Sequence, residues 1–435
     1  MPPPIAPNAV SHDADARIDT AVASAHERYR SLRPASAATD ARARHVLPGG
    51  NTRSVLDFEP FAFRVSSASG AELVDIDGHR YVDFCGNYTA GLLGHSPGPV
   101  RAAVVDALDR GWALGAMHEA EIELAEMVCD RFASIEQVRF TNSGTEANLM
   151  AIGTALHHTG RNGVGVFDHS YHGGVLGFGD LDGPHHPLNV PHDFRVARFD
   201  DLRGLDRLFD DGPSGSGLGC VLVEPVQGSG GCRPASGEFL RALRQRCDDA
   251  DVVLVFDEVM TSRLAPGGAQ ERFGVRPDMT TLGKYLGGGF SFGAFGGRRD
   301  IMAAFDHHAG GRLTQAGTFN NNVGSMSAAV ATLRHELSPD RIAAVNERGD
   351  RLRDALNDLF AASELDVWVT GLGSMLNVRA RDDRLIDLLF HHLLDAGVYI
   401  ARRGFIALSV EIDDEHCERL LASSRDWVQA ADRFA

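Results

Sequence analysis

From Pro97 to about residue 325, short apolar runs recur at intervals long enough to hold a helix between them. Helices are predicted at 98–110 and 119–132, and strands at 137–140, 163–167, 194–198, 220–223, 252–256, 279–282 and 293–296. Runs such as Val252 to Phe256 are apolar at every position rather than at alternate ones. That pattern marks strands buried on both faces, and helix-length connections between such strands imply a mostly parallel sheet covered on both sides. Beyond residue 325 the rhythm changes to helix, strands near 365–369 and 374–378, a helix at 384–396, a strand at 405–410 and a last helix at 414–431. Ahead of Pro97, an Ala/Arg/Glu-rich segment from Asp19 to Arg33 reads as a helix ended by Pro34. Pro48-Gly49-Gly50-Asn51 reads as a turn, and Val74 to Phe84 alternates on either side of Asp77-Gly78 as a hairpin does.

The expected class is therefore α/β, with a mostly parallel seven-stranded sheet in a large domain and a smaller α+β domain formed by the N- and C-terminal segments. The boundaries expected are a mobile terminus at 1–15, an N-terminal segment at 16–96, the large domain at 97–325 and the C-terminal part at 326–435. The length of 435 residues suits about two domains. No internal repeat breaks the pattern, and no apolar run is long enough to span a bilayer.

Charge narrows the function. A net charge of −17 with no clustered basic footprint argues against a nucleic-acid partner. Cys85, Cys129, Cys220, Cys232, Cys247 and Cys417 show no C-x-x-C and no Cys/His spacing suited to zinc, so they read as reduced thiols of a cytoplasmic protein. Met1-Pro2-Pro3-Pro4 lacks the basic and apolar regions of a signal peptide. The histidine pairs His157-His158, His185-His186, His307-His308 and His391-His392 point different ways along any regular element, so no metal site is expected.

One cation stands apart. Lys284 is the only lysine among 42 basic residues. Wherever a positive charge or a long stem suffices, this chain has arginine. A guanidinium stays protonated, whereas a partly desolvated ε-amine loses its proton and condenses with a carbonyl, so Lys284 reads as a Schiff-base lysine. Ligands of open α/β sheets sit beyond the carboxyl ends of the strands. After the strand at 137–140 come Ser143, Gly144 and Thr145 at the start of a helix, suited to a phosphate or to a plain N-cap. After 163–167 comes Tyr171 on a glycine-rich turn, able to lie on a planar ring or to pack on the sheet edge. The strand 252–256 leads into Asp257, which at a buried strand end needs a cationic partner, such as a protonated pyridine nitrogen, or else caps a helix. Phosphate cup, aromatic plate, carboxylate and amine, in chain order, fit pyridoxal 5'-phosphate. Gly215-Ser216-Gly217-Leu218-Gly219 precedes a strand instead of following one and does not make a nicotinamide site.

The motifs Asn142-Ser143-Gly144-Thr145-Glu146-Ala147, Tyr171-His172-Gly173, Glu224-Pro225-Val226-Gln227-Gly228, Phe256-Asp257-Glu258-Val259-Met260-Thr261 and Leu282-Gly283-Lys284 resemble those of the class III aminotransferases of PLP fold type I, in the branch containing glutamate semialdehyde aminomutase. The resemblance runs from about residue 45 to the C-terminus. It implies Lys284 as Schiff-base and proton-transfer residue, Asp257 on the ring nitrogen, Tyr171 on the ring and Ser143-Gly144-Thr145 on the phosphate. His172, Glu224, Gln227 and Met260 come with the same motifs as cofactor-binding positions. Thr318 in Gly317-Thr318-Phe319 is implied to reach the phosphate of a neighbouring subunit, which makes a homodimer the catalytic unit.

Within that branch, Asn51-Thr52-Arg53-Ser54-Val55-Leu56, Tyr88-Thr89-Ala90-Gly91, Thr261-Ser262-Arg263-Leu264 and Gly317-Thr318-Phe319-Asn320 are similar to the β-phenylalanine aminotransferases. This implies a β-amino acid donor whose carboxylate meets Arg53, a substrate pocket that includes Tyr88, and a 2-oxo acid acceptor such as 2-oxoglutarate that meets Arg403. The neighbouring Arg402 reads as a surface cation. The segment from Val378 to Leu389 is short beside those relatives, on the acceptor side of the pocket. An aminomutase and an ω-amine aminotransferase share every cofactor motif and stay open as alternatives; a regulator on the same fold is disfavoured, because amine, carboxylate and phosphate cup are all intact.

Overall fold

The computed structural model describes residues 12–181, 183, 186–210 and 217–431. Most of the expected mobile terminus, His185, and Gly215 and Ser216 of the glycine-rich stretch lie outside the described residues.

The central sheet has seven strands: β1 Gln137–Thr141, β2 Gly163–Phe167, β3 Asp193–Ala197, β4 Leu218–Val223, β5 Val253–Asp257, β6 Met279–Gly283 and β7 Gly293–Gly297, in the spatial order β1-β7-β6-β5-β4-β2-β3. All neighbours run parallel except β7, which is antiparallel to both β6 and β1. The reason the apolar runs lack alternation is visible in the packing. Val253, Val255, Cys220 and Leu222 face the helix Gly144–Thr159 through Ala147, Ala151, Ile152 and Ala155. Leu254, Phe256, Val221 and Val223 face the helix Gly237–Asp249 through Phe239, Leu240, Leu243 and Cys247. Period-two side chains thus feed two cores at once, each buried Leu, Val or Phe contributing about 1.5–3 kcal/mol. The parallel arrangement also brings Thr141, Asp257 and Gly283 to one edge of the sheet.

The two ends of the chain build a second body of structure together. Val65–Ser69, Glu72–Asp75 and Arg80–Asp83 form an antiparallel meander, and Val398–Tyr399 joins it in parallel with Val398 opposite Val82. Val367–Leu372, Met375–Ala380 and Phe405–Ala407 make a separate antiparallel sheet. The first helix, His12–Leu32, lies against Asp383–Asp395 and is tied to it by His26 Nε2, 2.8 Å from Asp387 Oδ2. No helix among the described residues is long and apolar enough to cross a membrane.

The first helix starts at His12 and ends at Leu32, just before Pro34 as expected. Pro34 itself opens a further helix, Pro34–Arg44, because a first-turn residue has no use for the missing N–H and proline's φ is already helical. Two expectations need correction. The strand expected at 405–410 is only Phe405–Ala407. Arg402 is no free surface cation, since its Nε lies 3.1 Å from the buried carboxylate of Asp387. Val65–Ser69 and Val398–Tyr399 were not anticipated: the first is largely exposed, and the second is two residues long and pairs with a strand some 300 residues distant, so neither leaves a local signature.

Candidate active site

At the carboxyl edge of the sheet, a buried polar network gathers around Asp257. Its Oδ2 accepts from His172 Nδ1 at 2.7 Å and from Asn148 Nδ2 at 2.8 Å, while Oδ1 accepts the Val259 amide at 3.0 Å. One lone pair of Oδ1 therefore stays available to a cationic donor. His172 Nε2 is buried with no partner among the described residues, as is Gln227 Oε1. Glu224 binds two loops to this floor, accepting from the Tyr171 amide and the Gly228 amide at 3.0 Å each, and burial pushes its carboxyl upward. Gln227 donates to the Asp168 carbonyl at 2.6 Å. Met260 packs against Gly228 so closely that a Cβ there would come within 2.4 Å of its sulfur. Tyr171 stands half exposed above the floor, its ring free to cover a ligand.

The helix Gly144–Thr159 points its start at the same place. Ser143 accepts the Glu146 amide at 3.2 Å and Glu146 accepts the Asn142 amide at 2.8 Å, a reciprocal cap that fixes the first turn. The amides of Gly144 and Thr145 have no intrahelical acceptor and face outward with the positive end of the helix dipole. Gly144 has no room for a side chain, since a Cβ would sit 2.8 Å from Val259; Gly173, at φ 131°, passes so close to Thr145 that a Cβ would come within 2.2 Å of its hydroxyl. Ser143, Thr145, Tyr171 and Asp257 are thus brought together, as the strand-end pattern predicts.

Lys284 leaves β6 in a left-handed conformation, φ 53°, and its Nζ donates to the Tyr88 carbonyl at 2.7 Å. Burial pushes the amine down to about 8, against the opposing pull of Asp257 and Glu224 and with help from the fields of Arg53 and Arg263. The carbonyl that receives it belongs to a run of left-handed residues, Gly86, Asn87, Tyr88 and Thr89. Each non-glycine member of such a run costs roughly 1 kcal/mol, a burden typical of functional sites.

The substrate-side residues line up along that run. Tyr88 donates from its hydroxyl to the Val55 carbonyl at 2.7 Å and stacks on Phe405, centroids 5.3 Å apart. Arg53 is exposed and donates from Nη1 to Asn87 Oδ1 at 2.7 Å. Arg403 is exposed as well, and its charge and that of Arg53 both oppose the upward push of burial on the Tyr88 hydroxyl. Thr318 is exposed on a loop held by the Asn142–Asn320 side-chain pair at 3.0 Å and by His118 on the Asn321 carbonyl at 2.6 Å, and its side chain makes no hydrogen bond among the described residues.

The sequence reading passed over Asn148. It bridges Asp257 to the hydroxyl of Thr281, which donates to Asn148 Oδ1 at 2.6 Å, and so sets which way the Asp257 carboxylate faces. A signal existed: an amide one turn after Gly144, on a helix face otherwise filled by Ala147, Ala151 and Ile152, needs a buried partner. Arg263 was seen only as part of a motif, yet it is buried among Ser374 and the Leu408 carbonyl with no carboxylate paired to it among the described residues.

The family profile described as Aminotransferase class-III matches residues 57–181 and 204–425. The chain belongs to the class III aminotransferases. As such it is similar to the beta-phenylalanine transaminase of Variovorax paradoxus, 46% identical over 428 residues, covering 95% of this chain and 97% of that one. The solved structure of the beta-phenylalanine aminotransferase from Variovorax paradoxus superimposes with a TM-score of 0.92 at 45% identity, over 96% of this chain and 98% of the other. A glutamate-1-semialdehyde 2,1-aminomutase from Methanothermobacter thermautotrophicus is 38% identical over 410 residues, 88% of this chain and 96% of its own length. A transaminase solved with PLP bound matches with a TM-score of 0.84 at 31% identity, over 92% of this chain and 99% of that one. This class III aminotransferase therefore has PLP fold type I and is a PLP-dependent transaminase. The donor set of its cleft fits the cofactor: a partly desolvated amine, an anion with a spare lone pair, first-turn amides for a phosphate, and buried ring and amide atoms without partners among the described residues.

Proposed function

We propose that this enzyme moves the amino group of a β-amino acid to a 2-oxo acid, with 2-oxoglutarate as the acceptor. The observation that carries the reading is the pairing of a carboxylate-reading cation, Arg53, with the amine of Lys284 through two consecutive residues, Asn87 and Tyr88. When bound, pyridoxal phosphate supplies an aldehyde that condenses with amines and a ring that draws electrons from the carbon bearing nitrogen. Asp257 would pair with its ring nitrogen, Ser143, Gly144 and Thr145 would hold its phosphate, and Tyr171 would cover its ring. Glu224, Gln227, His172 and Met260 hold the loops that deliver these groups.

Lys284 does the proton work. Its amine, pushed down to about 8, is neutral in roughly a tenth of molecules at pH 7, far more than an ordinary lysine, and in that form takes the proton from the carbon that carries the amino group of the donor. Arg53 fixes the carboxylate of that donor by charge-assisted hydrogen bonds, and the stacked pair Tyr88 and Phe405 offers an apolar wall to its side chain. Arg403 engages the second carboxylate of the acceptor. Thr318 would serve the phosphate of a partner copy, so the working unit is a homodimer; its exposure, with no hydrogen bond from its side chain among the described residues, supports this.

The deciding experiment is an amino-donor panel with 2-oxoglutarate. Aromatic and aliphatic 3-amino acids should outperform 2-amino acids and amines without a carboxylate, with glutamate formed in step. Turnover that needs no added acceptor would instead identify an aminomutase, and equal use of amines without a carboxylate would identify an ω-amine aminotransferase.

A further inference from the structure

Residues 86–89 form a left-handed turn that is fixed from several sides. Gly86, Asn87, Tyr88 and Thr89 have φ of 52°, 45°, 52° and 76°. Gly86 lies against the backbone of Ala407, where a Cβ would come within 2.7 Å of the carbonyl, and its own carbonyl accepts the Gly91 amide at 2.8 Å. The Tyr88 amide donates to the Cys85 carbonyl at 3.0 Å, and the Tyr88 ring is held by Phe405 and Val55. Asparagine is the side-chain-bearing residue most at home in this conformation, so Asn87 fits the turn and Tyr88 and Thr89 are carried along with it.

Two adjacent residues of this turn grip two groups of opposite use. The Asn87 amide oxygen holds Arg53, and the Tyr88 carbonyl holds Lys284, both at 2.7 Å. Arg53 has no acidic partner among the described residues, so the amide is what orients it. A carboxylate in place of that amide would neutralise the guanidinium and compete with a substrate carboxylate. An amide directs the fork and leaves its charge intact. The carboxylate and amine of a 3-amino acid are one carbon further apart than those of a 2-amino acid, and a rigid spacer between cation and lysine selects for that span.

We propose that Asn87 is a positioning residue for substrate recognition: acting through Arg53, it sets the reach between the carboxylate site and the lysine amine. This rests on the reading that Arg53 takes the substrate carboxylate. The test uses the cofactor-loaded enzyme and 3-phenylpropanoate, which has the carboxylate and no amine and cannot react, with binding followed by calorimetry. Asn87→Gly keeps a residue suited to the left-handed backbone and removes only the side chain; it should weaken binding about tenfold, as should Asn87→Ala. Asn87→Asp should weaken it further by pairing with the guanidinium. In an Arg53→Ala background, Asn87→Gly should add nothing, a coupling that general loosening of the fold would not produce. Wild-type affinity in Asn87→Gly, or losses that multiply in the double variant, overturns the proposal and leaves the Arg53 reading standing. Failure of the unmodified enzyme to bind 3-phenylpropanoate, or full binding by Arg53→Ala, overturns the Arg53 reading and this proposal with it.

Discussion

Asp257, His172, Asn148 and Glu224 at the floor of the cleft are buried, and each is held by hydrogen bonds from several elements, whereas Arg53, Arg403 and Thr318 at the rim are exposed and carry few bonds or none. The floor is built by one chain: its strands set the positions, and hydrogen bonds from several elements fix its polar groups. The rim is unfinished. Arg53 keeps a single side-chain hydrogen bond, to Asn87, and the charge of each rim cation stays open to an arriving anion. A cofactor that stays can be met by a preorganised surface, and substrates that must come and go are better met by groups that do not pay desolvation in advance.

Disturbing the floor should therefore cost far more than disturbing the rim. Lys284→Arg should lower turnover by more than about 10^4-fold, because a guanidinium neither condenses with an aldehyde nor shuttles a proton near neutral pH; a steady-state assay reads this directly, and retained activity would contradict the assignment. The next effect concerns protonation. Burial lowers the amine from 10.5 to about 8, so the neutral form persists well below the range of an ordinary lysine. Amine-selective labelling of the cofactor-free enzyme, read by peptide mapping, should show a midpoint near 8 at this position. At neutral pH its labelling should run roughly a hundredfold faster than that of a free lysine side chain. A midpoint above 10 would mean that the floor does not exclude water.

Changes at the rim should be smaller and fall on binding. Arg53→Ala should raise the KM for 3-amino acids about 10–100-fold through loss of a charge-assisted pair, with kcat much less affected. Thr318→Ala should weaken cofactor affinity about fivefold, the worth of one hydrogen bond. Because the partner chain would make that bond, the deficit should appear only at protein concentrations that sustain the dimer, as equilibrium dialysis across a dilution series would reveal.

The same division explains what could be read from the amino-acid order. The seven strands stood out because burial on both faces removes polar interruptions, and Lys284 and Asp257 stood out because strand ends are where an α/β sheet presents chemistry. Asn148 escaped notice because its role depends on the angle at which its helix crosses β5 and β6, which no local pattern encodes. The left-handed turn at 86–89 was equally hidden, since only Gly86 and Asn87 hint at it and Tyr88-Thr89 would suit a strand. The joining of Val398–Tyr399 to Arg80–Asp83 is a long-range pairing of a two-residue strand, too short to announce itself.

The solitary lysine has one more consequence. A protease that cleaves after lysine has a single bond to sever in this chain, Lys284–Tyr285, and would release residues 1–284 and 285–435 as two fragments. That bond joins the residue that carries the amine to a tyrosine lodged in the interior, so the folded protein should resist digestion until it opens. The appearance of two bands would then serve as a clock for unfolding, started and stopped at the one position that defines the enzyme.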